Sequence, residues 1–386
     1  MEFLEGHPLL IRNARIVTAE RVFLGSAAVE DGRIAEVSEG DAVRSGVDFE
    51  GDYLLPGLVE LHTDHLESHY EPRPAVTWHA GSAVLAYDAQ IAAAGITTVF
   101  DCFRIGSDEM DTRLGFGETY LPLADAVASA AEAGLLRAEH RTHARCEVAA
   151  PNVVAVLEAF LASRPAHLIS LMDHTPGQRQ FRDFEKYLVY YSGVSGRPRA
   201  ELEEAARERQ RFAAPRALKN RPLIVAIARA HGIALASHDD TTIDEVEQAH
   251  ADGVTIAEFP TTLEAAVASR AAGMATVMGA PNVVLGRSHS GNASARDLTE
   301  AGHLDILSSD YVPGALLMAA FRLAETPAVG GLAGAIRLVS KAPAEATGLH
   351  DRGEIAVGRR ADLLRVAIHD GEPAARAVLR EGRRVA

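Results

Sequence analysis

Eight apolar runs of strand type, each separated from the next by an Ala-rich helical stretch, constrain the fold of this chain more than any other feature. They fall at 58–64, 96–103, 136–147, 167–174, 233–238, 254–259, 275–278 and 306–310. Strand and helix in alternation imply a parallel sheet covered by helices, and eight such units make an α/β fold, a distorted (β/α)8 barrel of TIM type. The helical stretches at 125–133, 222–231 and 261–272 are each followed closely by glycine before the next strand, as a helix stop requires. Residues 9–55 and the tail from about 352 have another texture, short strands with turns at Asp31-Gly32 and near Gly51-Asp52. Both ends are expected to form one small β-sandwich domain, 1–56 with 350–386, attached to a barrel of 57–349.

One connection is too long for such a barrel. Residues 175–221 insert roughly 45 positions between the fourth strand and the helix before the fifth. The early part carries Arg179, Arg182, Tyr187, Tyr190 and Tyr191, and a helix is expected from about Arg199 to Phe212. Arg179 and Arg182 lie just past a strand end, where a lid over an anionic ligand is expected.

Barrels of this type build their active sites at the C-terminal ends of the strands, so metal-competent residues should collect there. Strand one ends in His62-Thr63-Asp64-His65. Strand three runs from Glu139-His140-Arg141-Thr142-His143 to Cys146-Glu147, strand four ends in Asp173-His174, strand five in His238-Asp239-Asp240, and strand eight in Ser308-Ser309-Asp310. A single histidine at a strand end means little, but five strand ends agreeing is a strong signal. Residues two apart on a strand share a side, so His62 and Asp64 are expected to hold one cation together. Imidazole with carboxylate suits a divalent ion, zinc first, with manganese or iron as alternatives.

Many hydrolytic barrels bridge two metals with a carboxylated lysine, yet the three lysines here, Lys186, Lys219 and Lys341, end no strand. The bridge should then be an unmodified carboxylate, Glu147 first and Glu139 as the competitor. His174 and His238 are donors for the second ion. Glu258 ends strand six and would add a ligand or position substrate, while His65, His140, His143 and Asp239 are further candidates. Asp310 would be a metal ligand and the base that takes a proton from the attacking water, with His238 beside it. After strand seven, the loop from Gly286 to Asn292 offers backbone N–H groups with Arg287 and His289, and reads as a phosphate cradle.

A net charge of −15 argues against nucleic acid or an anionic membrane as partner. An anionic small-molecule substrate would need metals and local arginines to reverse the field. The N-terminus has no basic stretch and no apolar run approaches eighteen residues, so a cytoplasmic protein is expected. Cys102 and Cys146 are expected to be reduced, buried thiols.

Long blocks of the chain are similar to the amidohydrolase superfamily, and within it to a branch acting in phosphonate metabolism. They include Leu55-Pro56-Gly57-Leu58-Val59-Glu60-Leu61-His62-Thr63-Asp64, Ser170-Leu171-Met172-Asp173-His174-Thr175-Pro176-Gly177, Ala236-Ser237-His238-Asp239-Asp240 and Leu307-Ser308-Ser309-Asp310-Tyr311. The His-x-Asp at 62–64 departs from the superfamily's usual His-x-His but fits this branch. The resemblance implies hydrolysis of a phosphoanhydride in ribose 1-methylphosphonate 5-triphosphate with release of diphosphate, one or two divalent ions, and a homodimer. Arg179, Arg182, Arg287 and His289 would then hold the triphosphate and phosphonate. The alternatives are a dihydroorotase-like amide or imide hydrolase, which shares the metals but has no need of a triphosphate cradle, and a non-catalytic assembly protein on a decayed barrel.

Overall fold

Two sheets account for all the named strands. The computed structural model describes residues 8–40, 45–73, 76–107, 120–179, 184–195, 198–286 and 292–386. The N-terminal segment gives β1 (Leu9–Val17), β2 (Val22–Glu30), β3 (Arg33–Glu39), β4 (Val47–Asp48) and β5 (Tyr53–Pro56). The barrel strands are β6 (Leu58–Thr63), β7 (Ile96–Ile105), β8 (Glu139–Glu147), β9 (Leu168–Met172), β10 (Ala234–His238), β11 (Ile256–Glu258), β12 (Ala275–Gly279) and β13 (Ile306–Ser308). The C-terminus adds β14 (Leu363–His369), β15 (Glu372–Arg380) and β16 (Arg383–Arg384).

The terminal strands form one mainly antiparallel sheet in the order β16-β15-β14-β5-β1-β2-β3, with β4 on β1. The small β domain expected from both termini is thus a single hydrogen-bonded sheet, with Ile11, Ile16, Phe49, Leu54 and Leu363 in its core. Strands β6 to β13 are parallel and neighbour one another in sequence order. The barrel closes by a bridge between Thr63 and Asp310. His62 O accepts from Asp310 N at 3.1 Å and from Ser308 Oγ at 2.9 Å. Glu60, fully buried, reinforces the seam by accepting from His62 N at 2.6 Å and Ser309 N at 2.5 Å.

The inner barrel cluster takes Val59, Leu61, Phe100, Leu168, Ile256, Val277 and Ile306. β8 gives it no aliphatic side chain. Its His143 is instead buried against the Leu61 carbonyl, Cys102 and Ser170.

The helices follow the strands: α1 (His65–Tyr70), α2 (Ala80–Ala93), α3 (Tyr120–Glu132), α4 (Val153–Ser163), α5 (Phe184–Ser195), α6 (Arg199–His231), α7 (Ile243–Ala251) and α8 (Leu263–Ala271) lead to five shorter ones between 280 and 346. Local chemistry sets their ends. Thr242 and Glu245 make a capping box at α7, Thr262 caps α8, and Gly232 stops α6 in the left-handed conformation that glycine adopts without strain. Among the described residues no helix is long and apolar enough to cross a membrane.

The 175–221 insertion departs from expectation. Instead of a helix over 199–212 and another from 222, one helix of 33 residues runs through Pro215 and Pro222. Each proline deletes a backbone bond and would normally end the helix, but tertiary anchors hold this one together. Asn220 Nδ2 donates to the carbonyls of Val148 and Ala150, and Arg221 pairs with Asp252 at 2.6 Å. α5 lies on α6 through a small core of Phe184, Tyr187, Leu188, Tyr191, Leu202 and Ala206.

Candidate metal-dependent active site

Glu258 is the hub of the barrel mouth. Its Oε1 lies 3.2 Å from His62 Nδ1 and 3.8 Å from His143 Nε2, and its Oε2 is 3.3 Å from His238 Nδ1 and accepts from Ser170 Oγ at 2.5 Å. Three histidines from β6, β8 and β10 thus converge on one buried carboxylate from β11. Burial alone would raise the Glu258 carboxyl, but His143 and His62 hold it well below the usual carboxylate range. Burial lowers His143 to about 4 and also lowers His238, which favours the neutral form of each ring.

Non-glycine residues in the left-handed region follow three of these strands: Asp239, Phe259 and Asp310, with φ of 60°, 54° and 55°. Each costs roughly 1–3 kcal/mol, a strain that folds retain where it aims a side chain. Phe259 uses it to stand edge-on to His62 and His238, at 4.9 and 5.3 Å between ring centroids.

Two donor sets suited to a divalent ion emerge at this end: His62, His238 and Glu258, and His174, His238 and Asp239, with the ligating atoms of each within 4.8 Å of one another. A neutral imidazole has one free lone pair, so the shared His238 serves one set at a time. A third group, His62, Cys102 and His143, lies among buried side chains. Nitrogen with carboxylate oxygen fits the borderline ion expected from sequence.

The structure divides the expected site residues. His62, His174, His238, Asp239, Glu258 and His143 gather as described. Glu147 ends β8 and pairs with His174, Oε2 to Nδ1 at 2.7 Å; burial would raise its carboxyl, but His174 and the Arg104 and Arg209 guanidiniums hold it at about 2. Asp310 lies two residues past β13, at the bridge to Thr63 and beside Gly279, where an added Cβ would lie 3.4 Å from its Oδ2. Asp64 parts from His62: a bulge between Glu60 and Thr63 breaks the alternation, β6 stops at Thr63, and Asp64 begins α1 with its carboxylate on Arg145 at 2.5 Å.

Glu139 lies at the opposite end of β8, held by Arg352 at 2.7 Å and Arg360 at 2.5 Å, so it is not placed to bridge metals at the mouth. His140 is enclosed by Asp101 and Asp88, and His65 turns to Gln90. Arg179 lies past β9 in the 173–179 segment. Its Nη1 donates to His238 O at 2.9 Å and Asp240 Oδ1 at 2.7 Å, its Nε faces Glu245, and the side chain is buried. An arginine so held supports the His238 strand end, and it also lines the cavity beside the 173–179 segment. Arg182, Arg287 and His289, and the cradle loop with them, lie outside the described residues.

Sequence reasoning passed over Ser170, Phe259, Cys102, Arg104 and Arg145. Arg104 and Arg145 carried a signal in the alternation of β7 and β8, two residues beyond Cys102 and His143. A cavity of about 610 Å³ opens between α6, α7 and the 173–179 segment, lined by Asp173, Arg179, Gln210 and Arg221, but by none of the converging histidines.

No family model matches the chain. It is 45% identical over 381 residues, 98% of this chain and 100% of the relative, to the α-D-ribose 1-methylphosphonate 5-triphosphate diphosphatase of Escherichia coli (strain K12). Solved structures share the fold at lower identity. The dihydropyrimidinase of Brevibacillus agri gives a TM-score of 0.59 at 14% identity over 98% of this chain and 95% of that one. A 5-methylcytosine deaminase from Klebsiella pneumoniae gives 0.64 at 15% over 98% of both. On the full-length relationship, the chain belongs to the family of α-D-ribose 1-methylphosphonate 5-triphosphate diphosphatases, and it shares its fold with the solved dihydropyrimidinase and deaminase.

Proposed function

We propose that this protein is a metal-dependent hydrolase that cleaves a phosphoanhydride of α-D-ribose 1-methylphosphonate 5-triphosphate, giving the 5-phosphate and diphosphate in phosphonate catabolism. The observation that carries this reading is the 45% identity spanning the whole of the relative, joined to a barrel mouth that gathers histidines and carboxylates from several strand ends. The reading extends to a zinc-dependent enzyme of the cytoplasm, acting as a homodimer on a small anionic substrate, with residues 57–349 as its catalytic unit.

One or two divalent ions would be held by His62, His238 and Glu258 or by His174, His238 and Asp239, with Glu147 and Asp64 as further carboxylates within the mouth. Such an ion supplies Lewis acidity toward a phosphoryl oxygen and lowers the pKa of a water. Asp310 takes the proton of the attacking water, and its left-handed backbone at the barrel seam fixes the carboxylate for that task. Phe259 and Glu258 keep the His62 and His238 rings in place. The new P–O bond forms from water, the bridging P–O bond breaks, and the electron pair leaves with diphosphate, a good leaving group that needs no strong acid.

Phosphorus NMR of the metal-loaded protein tests this directly, with ATP and dihydroorotate as controls. Diphosphate signals from the ribose triphosphate alone are expected. Cleavage of the cyclic amide without any phosphorus product would return the chain to amide hydrolysis.

A further inference from the structure

Arg104 and Arg145 are register partners on the parallel strands β7 and β8, one row beyond Cys102 and His143 and just short of Glu147. Two guanidiniums side by side on one face of neighbouring strands repel each other, and an arrangement of this kind is stable only with anions between or beside them. Each has one: Arg145 Nη1 lies on Asp64, and Arg104 Nη2 lies 3.6 Å from Glu147 Oε2. The Arg145 Nε is buried and has no hydrogen-bond partner among the described residues. The insertion adds to this row. Burial lifts the Tyr191 phenol, while Arg104 and Arg209 of α6 pull it down, and the same two guanidiniums act on Glu147. Tyr187 and Tyr191 pack with ring centroids 4.5 Å apart and planes tilted by 40° within the α5–α6 core.

We propose that Arg104, Arg145 and Arg209, with Tyr191, form the subsite that binds the substrate's triphosphate chain. The assignment rests on the phosphoanhydride reading for its ligand. A chain with net charge −15 needs a local reversal of field to admit a polyanion, and planar guanidinium forks match phosphate oxygens two at a time. The incoming phosphate oxygens take over from Asp64 and Glu147 as partners of this paired row.

The test uses the full-length, metal-loaded protein and its Arg104→Gln and Arg209→Gln variants, each with a lysine counterpart, after circular dichroism and metal analysis show that fold and metal content are kept. Two quantities are read: the Kd of inorganic diphosphate by calorimetry, and KM against kcat for the ribose triphosphate. Each glutamine variant is expected to raise Kd and KM roughly 10-fold or more, with kcat changed far less, and lysine to restore part of the loss. Turnover by the wild type with Kd and KM unchanged in both variants overturns the subsite and leaves the function intact. Absence of turnover by the wild type overturns the function instead. Diphosphate binding then decides the subsite alone, upheld if the variants lose it and overturned if they match the wild type or if the wild type binds none.

Discussion

The strand β8 begins at Glu139 and ends at Glu147, and the two carboxyls are both held at about 2 against the opposing effect of burial. Their partners differ in kind. Glu139 meets Arg352, Arg360 and Arg141, permanent cations that tie the barrel floor to the segment leading into the C-terminal strands. Glu147 meets the His174 ring at 2.7 Å and Arg104 at a looser 3.6 Å. A depressed carboxylate is therefore no mark of an active site by itself. What distinguishes the mouth is that its carboxylate meets a histidine and a loosely placed guanidinium, while the floor carboxylate is held by three guanidiniums, each through one nitrogen.

The sharpest way to separate the two ends is Asp310→Asn. Asparagine tolerates the left-handed backbone, so the seam should survive. We expect kcat to fall ~100- to 10,000-fold with metal content retained, measured by phosphate release and elemental analysis; a wild-type rate would remove Asp310 from the chemistry. Next comes Arg179→Ala, which leaves the buried Asp240 without its cation and frees the His238 carbonyl. Stability should drop by about 3 kcal/mol in urea unfolding, and kcat should fall more than KM rises; a rise in KM alone would make Arg179 a ligand group after all.

At the barrel floor the effects fall on stability. His140 is buried, which lowers its pKa, but Asp101 and Asp88 raise it from 6.5 to about 9. A raised histidine contributes stability that is fully present below about 6.5 and is lost as pH climbs through about 9. That contribution is roughly 3 kcal/mol by linkage. His140→Gln should remove it and flatten the alkaline limb of the unfolding curve, without lowering kcat of the folded protein. Glu139→Gln should cost about 2 kcal/mol, since Arg352 and Arg360 lose a partly exposed partner. Its depressed pKa makes the contribution complete above about 4.5 and lost as pH falls through about 2, so the variant should differ from wild type least in acid. Loss of turnover in either floor variant would erase the distinction between the two ends.

Much of this molecule is written in short-range pattern. All eight barrel strands lie where the strand-type runs placed them, most because a strand buried on both faces draws on apolar residues, with β8 the polar exception. His62, His174, His238, Glu258 and Asp310 were visible as polar residues ending such runs. The partners of Asp64 and Arg179 were not legible, for different reasons. A one-residue bulge is invisible to an alternation rule, and an arginine two turns past a strand carries no sign of whether it faces a ligand or an internal aspartate. The long helix hid behind Pro215 and Pro222, since its anchors at Val148, Ala150 and Asp252 are distant in sequence.

The sequence by itself determined the number and order of the barrel strands, the end at which the chemistry gathers, and the family. Those follow from period, from strand-end residue type and from long shared blocks, all local properties. Only the tertiary structure decided that Glu258 is the hub of three histidines, that Arg145 claims Asp64, and that Arg104 and Arg145 stand side by side. Each of these depends on register between strands from 20 to 196 residues apart and on closure at Thr63 and Asp310. A buried charge settles on whichever partner the closed barrel brings within hydrogen-bond reach, because leaving it unpaired costs several kcal/mol.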